Sequence, residues 1–151
     1  MRQTTIAISL VLILFPMVFA QQSQQDENKF AVAGLKEREV EVFFNSFKEA
    51  VAKGDKRKVA GMVAYPVPTR LSSGRSVEIV NKARFIKLYD QIFDNKFKQL
   101  IAQTEFKDLW AKYSGVATPG GAIWINGIMK NRTSVDDYVI KITTLNGPIR
   151  P

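Results

Sequence analysis

An α+β domain, with helices on one side of a curved, mostly antiparallel sheet, is the fold class this sequence predicts. Two observations lead there. Apolar residues recur at three- and four-residue steps through much of the chain up to about residue 101, the period of amphipathic helices. From residue 109 onward, short β-rich segments alternate with turn residues, the pattern of a strand meander. Helices first and strands last argue for segregated layers rather than alternating βαβ units.

The elements follow in order. Val40, Phe43, Phe44, Phe47, Ala50 and Val51 form one apolar stripe, which predicts a helix over Leu35 to Lys53. Gly54 takes the left-handed conformation at a helix end without strain, so it stops that helix. Asp55 caps a short second helix from Lys56 to Val63, and Pro66 and Pro68 prevent its continuation. Tyr65 to Leu71 and Arg75 to Val80 read as two strands around Ser72-Ser73-Gly74. Asn81 caps a third helix from Lys82 to Phe93, with Phe85, Ile86, Tyr89, Ile92 and Phe93 on its stripe. Asp94 caps a fourth helical piece carrying Phe97, Leu100 and Ile101. Leu109 to Val116 reads as a strand, Thr118-Pro119-Gly120-Gly121 as a turn and Ala122 to Met129 as a strand. Lys130 to Asp136 is a polar connection, and Asp137 to Leu145 is the last strand, with Tyr138, Ile140 and Ile142 on one face.

The first 20 residues stand apart. Arg2 supplies positive charge, Ile6 to Phe15 is apolar but for Ser9, and Val18-Phe19-Ala20 precedes the polar run Gln21 to Gln25. This is the order of a secretory signal peptide, with cleavage expected between Ala20 and Gln21. The strongly apolar part is well short of the roughly 20 residues that span a bilayer. Gln21 to Gly34 is then a disordered lead-in, and 35–147 is a single domain outside the cytoplasm, in a bacterial periplasm or beyond it. The absence of cysteine removes disulfides, thiolate metal ligands, a cysteine nucleophile and a thiol for lipid anchoring. Such a domain is stable by packing alone. Loss of Arg2 from a net charge of +8 leaves +7, spread along the chain with one cluster, Lys53 to Lys58. Export argues against nucleic acid as the partner of that charge and leaves anionic envelope surfaces.

A further pattern emerges from the hairpin opening at Ala64-Tyr65-Pro66, the helix segment Phe85-Ile86-Lys87-Leu88-Tyr89-Asp90-Gln91-Ile92-Phe93, Gly115, and Gly120-Gly121-Ala122-Ile123-Trp124-Ile125. Together these resemble small exported bacterial proteins of no assigned function, whose fold is expected to be similar to the NTF2-like (cystatin-like) α+β cone. The resemblance covers Val40 to Leu145. It implies a cone that serves enzymes, ligand carriers and interaction modules alike. Enzymes of that superfamily use Asp, His or Tyr in the pocket. This chain has no histidine, and no catalytic residue is carried over.

The candidate site residues are few. Asp90 sits at the edge of the third helix's stripe, where a half-buried carboxylate would serve as a general base, and Tyr89 beside it offers a phenol to an oxyanion; the plainer assignment is Asp90 paired with a nearby Lys or Arg, or capping backbone groups, with Tyr89 in the core. Tyr65 and Tyr113 are alternative donors. Trp110, Tyr113 and Trp124 are candidates to line a ligand pocket on the concave sheet face, with Asn126 projecting beside Trp124; the plainer assignment for these aromatics is core. Arg70 and Arg75 flank a hairpin tip suited to a carboxylate or phosphate. Asp136-Asp137 is a weak cation pair, and Asn131-Arg132-Thr133 fits a glycosylation acceptor. No cofactor motif or metal-ligand spacing is present. The reading is a non-catalytic exported domain that binds a small ligand or an envelope protein, with dimerisation through the sheet as a possible assembly. The alternative is an acid–base enzyme, of isomerase, dehydratase or hydrolase type, acting on a small apolar molecule.

Overall fold

The computed structural model describes residues 28–131 and 137–147. The segment read as a signal peptide, with Ala20 and Gln21, and the stretch Arg132 to Asp136 lie outside the described residues.

Helix α1 runs Glu37–Ala52 and buries Val40, Phe44, Phe47, Ala50 and Val51. Glu37 and Glu39 in its first turn oppose the positive end of the helix dipole. Gly54 ends it at φ 66, and the Gly54 and Asp55 amides donate back to Val51 and Ala50. This closure satisfies carbonyls that the helix end would otherwise leave open. Helix α2, Lys56–Gly61, is capped by Asp55, whose carboxylate accepts from the Lys58 amide at 2.9 Å. Strands β1 (Val67–Arg70) and β2 (Ser76–Ile79) form the hairpin. Helix α3 (Lys82–Ile92) is capped by Asn81 and helix α4 (Asn95–Gln103) by Asp94, each accepting a hydrogen bond from the amide three residues on. Every cap expected from the sequence is in place.

The chain joins the fold earlier than its periodicity predicts. Phe30 is fully buried, edge-on to Phe106 at 5.6 Å, and a 3-10 turn spans Ala31–Ala33. Residues 28–34 are therefore part of the domain. A second correction concerns Leu109 to Val116, which is a hairpin and not one strand. Strands β3 (Trp110–Lys112) and β4 (Gly115–Ala117) pair antiparallel around Tyr113-Ser114. Strands β5 (Ile123–Met129) and β6 (Tyr138–Leu145) complete the sheet.

The six strands lie in the order β2-β1-β6-β5-β4-β3. All neighbours are antiparallel except β1 and β6, which meet in parallel at Thr69 and Leu145. The sheet is open and mixed. Ile123, Ile125 and Ile142 face the helices and are fully buried, whereas Trp124 and Asn126 on the opposite face are only half buried. Between the layers lies an aromatic cluster. Phe93 contacts Tyr89, Phe97, Phe85 and Phe47 at centroid distances of 4.7, 5.4, 6.2 and 6.3 Å.

Candidate functional site

The residues singled out from sequence do not converge. Tyr89 is 1 % exposed and lies in the aromatic cluster, while the Asp90 side chain is 71 % exposed and pairs with Lys56 at 2.6 Å. Of the two assignments, Asp90 takes the plainer one, a surface ion pair, with Tyr89 in the core, and not that of a half-buried base. The reason is angular: one residue along a helix turns the side chain by about 100°, enough to carry the carboxylate from stripe to solvent. Lys56 also lies 5.5 Å over the Tyr89 ring, closing it off on that side.

The Tyr89 hydroxyl is buried and has no hydrogen-bond partner among the described residues. Burial pushes its pKa up to about 12, with Asp90 and Asp55 adding to the effect. Tyr65 is pushed up to about 12 by burial as well, and its hydroxyl donates to the Ala60 carbonyl at 2.9 Å. Two expectations follow. Tyr89→Phe removes an unsatisfied buried group and raises stability by about 1–2 kcal/mol, to be read from chemical denaturation. The second concerns pH. The folded state holds both phenol protons more tightly than the unfolded chain, whose tyrosines titrate near 10. Their contribution is therefore complete below pH 10 and is lost as pH rises towards 12. Thermal unfolding across that window shows the decline, and Tyr89→Phe makes it shallower.

Trp110 and Trp124 meet edge-to-face at 5.2 Å, on the sheet face turned away from the helices. Trp110 Nε1 donates to the Thr118 carbonyl at 3.1 Å. They brace the β3–β4–β5 corner. Tyr113 is 87 % exposed in the β3–β4 turn. Asn126 is occupied structurally: its amide donates to Ser114 O at 3.2 Å and its oxygen accepts from Gly127 N at 2.8 Å. Arg70 and Arg75 are exposed at the hairpin end. The basic cluster is divided, with Lys53 paired to Glu49 and Lys56 to Asp90. Asp137 is bonded to Lys130 and Asn131, and its neighbour Asp136 lies outside the described residues, as do Arg132 and Thr133 of the glycosylation triplet. Among the described residues no group of three His, Cys, Asp or Glu side chains stands ready for a metal ion, and no helix is long and apolar enough to cross a membrane.

A feature that the sequence reading missed is a groove of about 570 Å³ between α1, the end of α2 and β6. Val42, Phe43, Met62 and Ile140 supply its apolar surface, and Arg38, Lys58 and Lys141 stand around it. Val42 is 64 % exposed although it belongs to a helix with a full buried stripe. That is the available signal: Val42 lies off the core-facing side, next to Phe43 at the stripe's margin, and so widens the apolar surface beyond what the core needs. At one end the Tyr138 hydroxyl donates to Glu39 Oε2 at 2.7 Å and accepts from the Lys36 amide at 3.3 Å, tying the start of α1 to β6. Burial, and next the bond to Glu39, raise the Tyr138 pKa. The chemistry of the groove is apolar contact with Arg38, Lys58 and Lys141 around it, and its one described acid–base contact is the Tyr138–Glu39 hydrogen bond at its end. Comparison with protein-family models, curated proteins and solved structures finds no match.

Proposed function

We propose that this chain is an exported, non-catalytic domain of NTF2-like architecture that binds its ligand or partner at the groove between α1, α2 and β6. The observation that carries the binding reading is where the open space lies. The interior between helices and sheet is filled by Phe44, Phe47, Phe85, Tyr89, Phe93 and Phe97, each no more than 1 % exposed, while exposed apolar surface gathers outside it around Val42. Helix pair, hairpin, helices and strand meander, in the order α1-α2-β1-β2-α3-α4-β3-β4-β5-β6, support the NTF2-like assignment. The charge pattern of the first 20 residues supports export.

The enzyme alternative needs Asp90 and a tyrosine to share a space with substrate. Asp90 points to solvent in an ion pair and Tyr89 is closed off, which argues against it. Asp90→Asn is expected to change stability by no more than about 0.5 kcal/mol, as for other exposed pairs. The test of the binding reading is amide NMR of the exported protein titrated with peptidoglycan fragments, anionic lipid micelles and linear peptides. The expected result is shifts confined to residues around Val42, Phe43, Met62 and Ile140 without turnover of any added compound. Chemical conversion that disappears in Asp90→Asn sinks this reading in favour of the enzyme.

A further inference from the structure

We infer that the groove receives an extended segment of a partner protein, apolar with acidic residues, which adds a strand to a free edge of β6. The inference rests on the binding reading above and specifies the partner's chemistry. Its first support is the hydrogen-bonding direction of β6. Successive residues of a strand turn their N–H and C=O groups alternately to opposite neighbours. Ile142 turns its groups away from β5: its amide donates to Met62 O at 2.8 Å, and its carbonyl accepts from Ala64 N at 2.9 Å. Lys141 and Val139, one and three residues back, face β5 opposite Asn126 and Ile128. Ile140 and Tyr138 therefore point the same way as Ile142. Strand β1, which lies on that side, meets β6 only at Thr69 and Leu145, and the 62–64 segment stops at Ile142. The groups of Ile140 and Tyr138 thus have no backbone partner among the described residues, and both residues line the groove.

The second support is the surface beside that edge. A strand laid along β6 turns one face to Val42, Phe43 and Met62, so apolar side chains at alternate positions find contact there. The third is charge. The carboxylate of Glu39 is already held by Tyr138 and Lys36, while neither Arg38 nor Lys58 has an ion pair among the described residues. Lys141 adds a third cation, its ammonium resting on the Gly61 carbonyl. A second copy meeting this edge brings the same cations into opposition, and a lysine on an edge strand discourages that pairing. An acidic segment of another protein is drawn to it.

The test selects linear peptides from a random display library on the exported protein, then measures hydrogen exchange with the best binder. Expected are acidic peptides with alternating apolar residues, and slowed exchange at the Ile140 and Tyr138 amides. Ile140→Pro removes the edge donor without removing a β5 ladder bond, since proline is tolerated on an edge; it weakens binding about tenfold or more. Arg38→Glu with Lys58→Glu weakens acidic binders by at least about tenfold at low salt, and less at high salt. This second variant keeps the result readable if Ile140→Pro misfolds. Peptides that protect other amides, or none enriched, overturn the strand-addition inference but leave the groove open to small ligands. Protection of Ile140 that grows with protein concentration alone, with dimers in light scattering, overturns it in favour of a second copy. Failure of the wider binding reading looks different, because it appears as turnover dependent on Asp90.

Discussion

Phe93→Ala is expected to cost about 3–5 kcal/mol, the range for removing a buried aromatic ring from a packed core. Phe93 is 1 % exposed and its ring is the hub of the cluster, stacked on Phe97 with an interplanar angle of 7° and in contact with Tyr89, Phe85 and Phe47. These partners come from α1, α3 and α4, so the truncated side chain leaves a cavity that no single helix can close by shifting. The backbone is not the cause of the loss, because the Phe93 amide still donates to the Tyr89 carbonyl. A domain of this size loses roughly 4 °C of melting temperature per kcal/mol, so the expected fall is on the order of 10–20 °C. Phe93→Leu keeps most of the volume and costs about 1–2 kcal/mol. Calorimetry of both variants checks the ordering. A drop of only a degree or two for Phe93→Ala shows that the cluster is not the packing centre. With no disulfide to restrain the unfolded chain, that packing carries the domain's stability.

Gly115→Ala is the second large effect, and its origin lies in the backbone. Gly115 sits at φ +128, a conformation that side-chain-bearing residues rarely adopt, and a Cβ there lies 2.6 Å from the Ile125 carbonyl oxygen. That oxygen belongs to β5 and cannot rotate away as a side-chain tip does. Relief requires β4 to move from β5, at the point where Val116 pairs with Ile125. Strain at such a position costs on the order of 1–3 kcal/mol before any ladder is disturbed, so about 3 kcal/mol or more in total is expected. Urea unfolding measures it. A contrasting control is Gly74→Ala: that residue also has positive φ, but a Cβ there meets nothing within 4 Å, so only the conformational strain applies. Equal losses at the two positions remove the argument from the clash.

Gly115 also shows where the reading of sequence stops. The stretch Leu109 to Val116 has the residues of one strand, yet the chain reverses inside it at Tyr113-Ser114. A glycine within a strand pattern signals a bulge or close approach, but the pattern alone does not say whether the chain bends or turns back. Helix caps were legible because the caps are local. Asp55, Asn81 and Asp94 each bond an amide three residues away, and no distant partner is needed. The helix stripes were legible for the same reason of period. Phe30 was not, because its burial depends on Phe106, far along the chain. The candidate residues fared according to how far their neighbours lie in sequence. Asp90 beside Tyr89 looked like a pair, and the ion partner that decides its role, Lys56, is 34 residues away. Trp124 and Asn126 share a face as alternation required, but which face met the helices was a tertiary matter.

By itself, then, the sequence determined what local physics controls. Periodicity set the helices and most strands, side-chain oxygens set their starts, Gly54 set an end, and the absence of cysteine and histidine removed whole classes of chemistry. Tertiary structure decided what depends on residues meeting across the chain. It filled the space between helices and sheet with six aromatic rings, turned Asp90 to solvent, and put Trp110 and Trp124 outside. It also brought Val42, Met62 and Ile140 together along an edge of β6 that β1, paired there at Thr69 and Leu145, leaves partly open among the described residues. A strand's hydrogen-bonding needs are written in every residue, but whether they are met is a property of its neighbours.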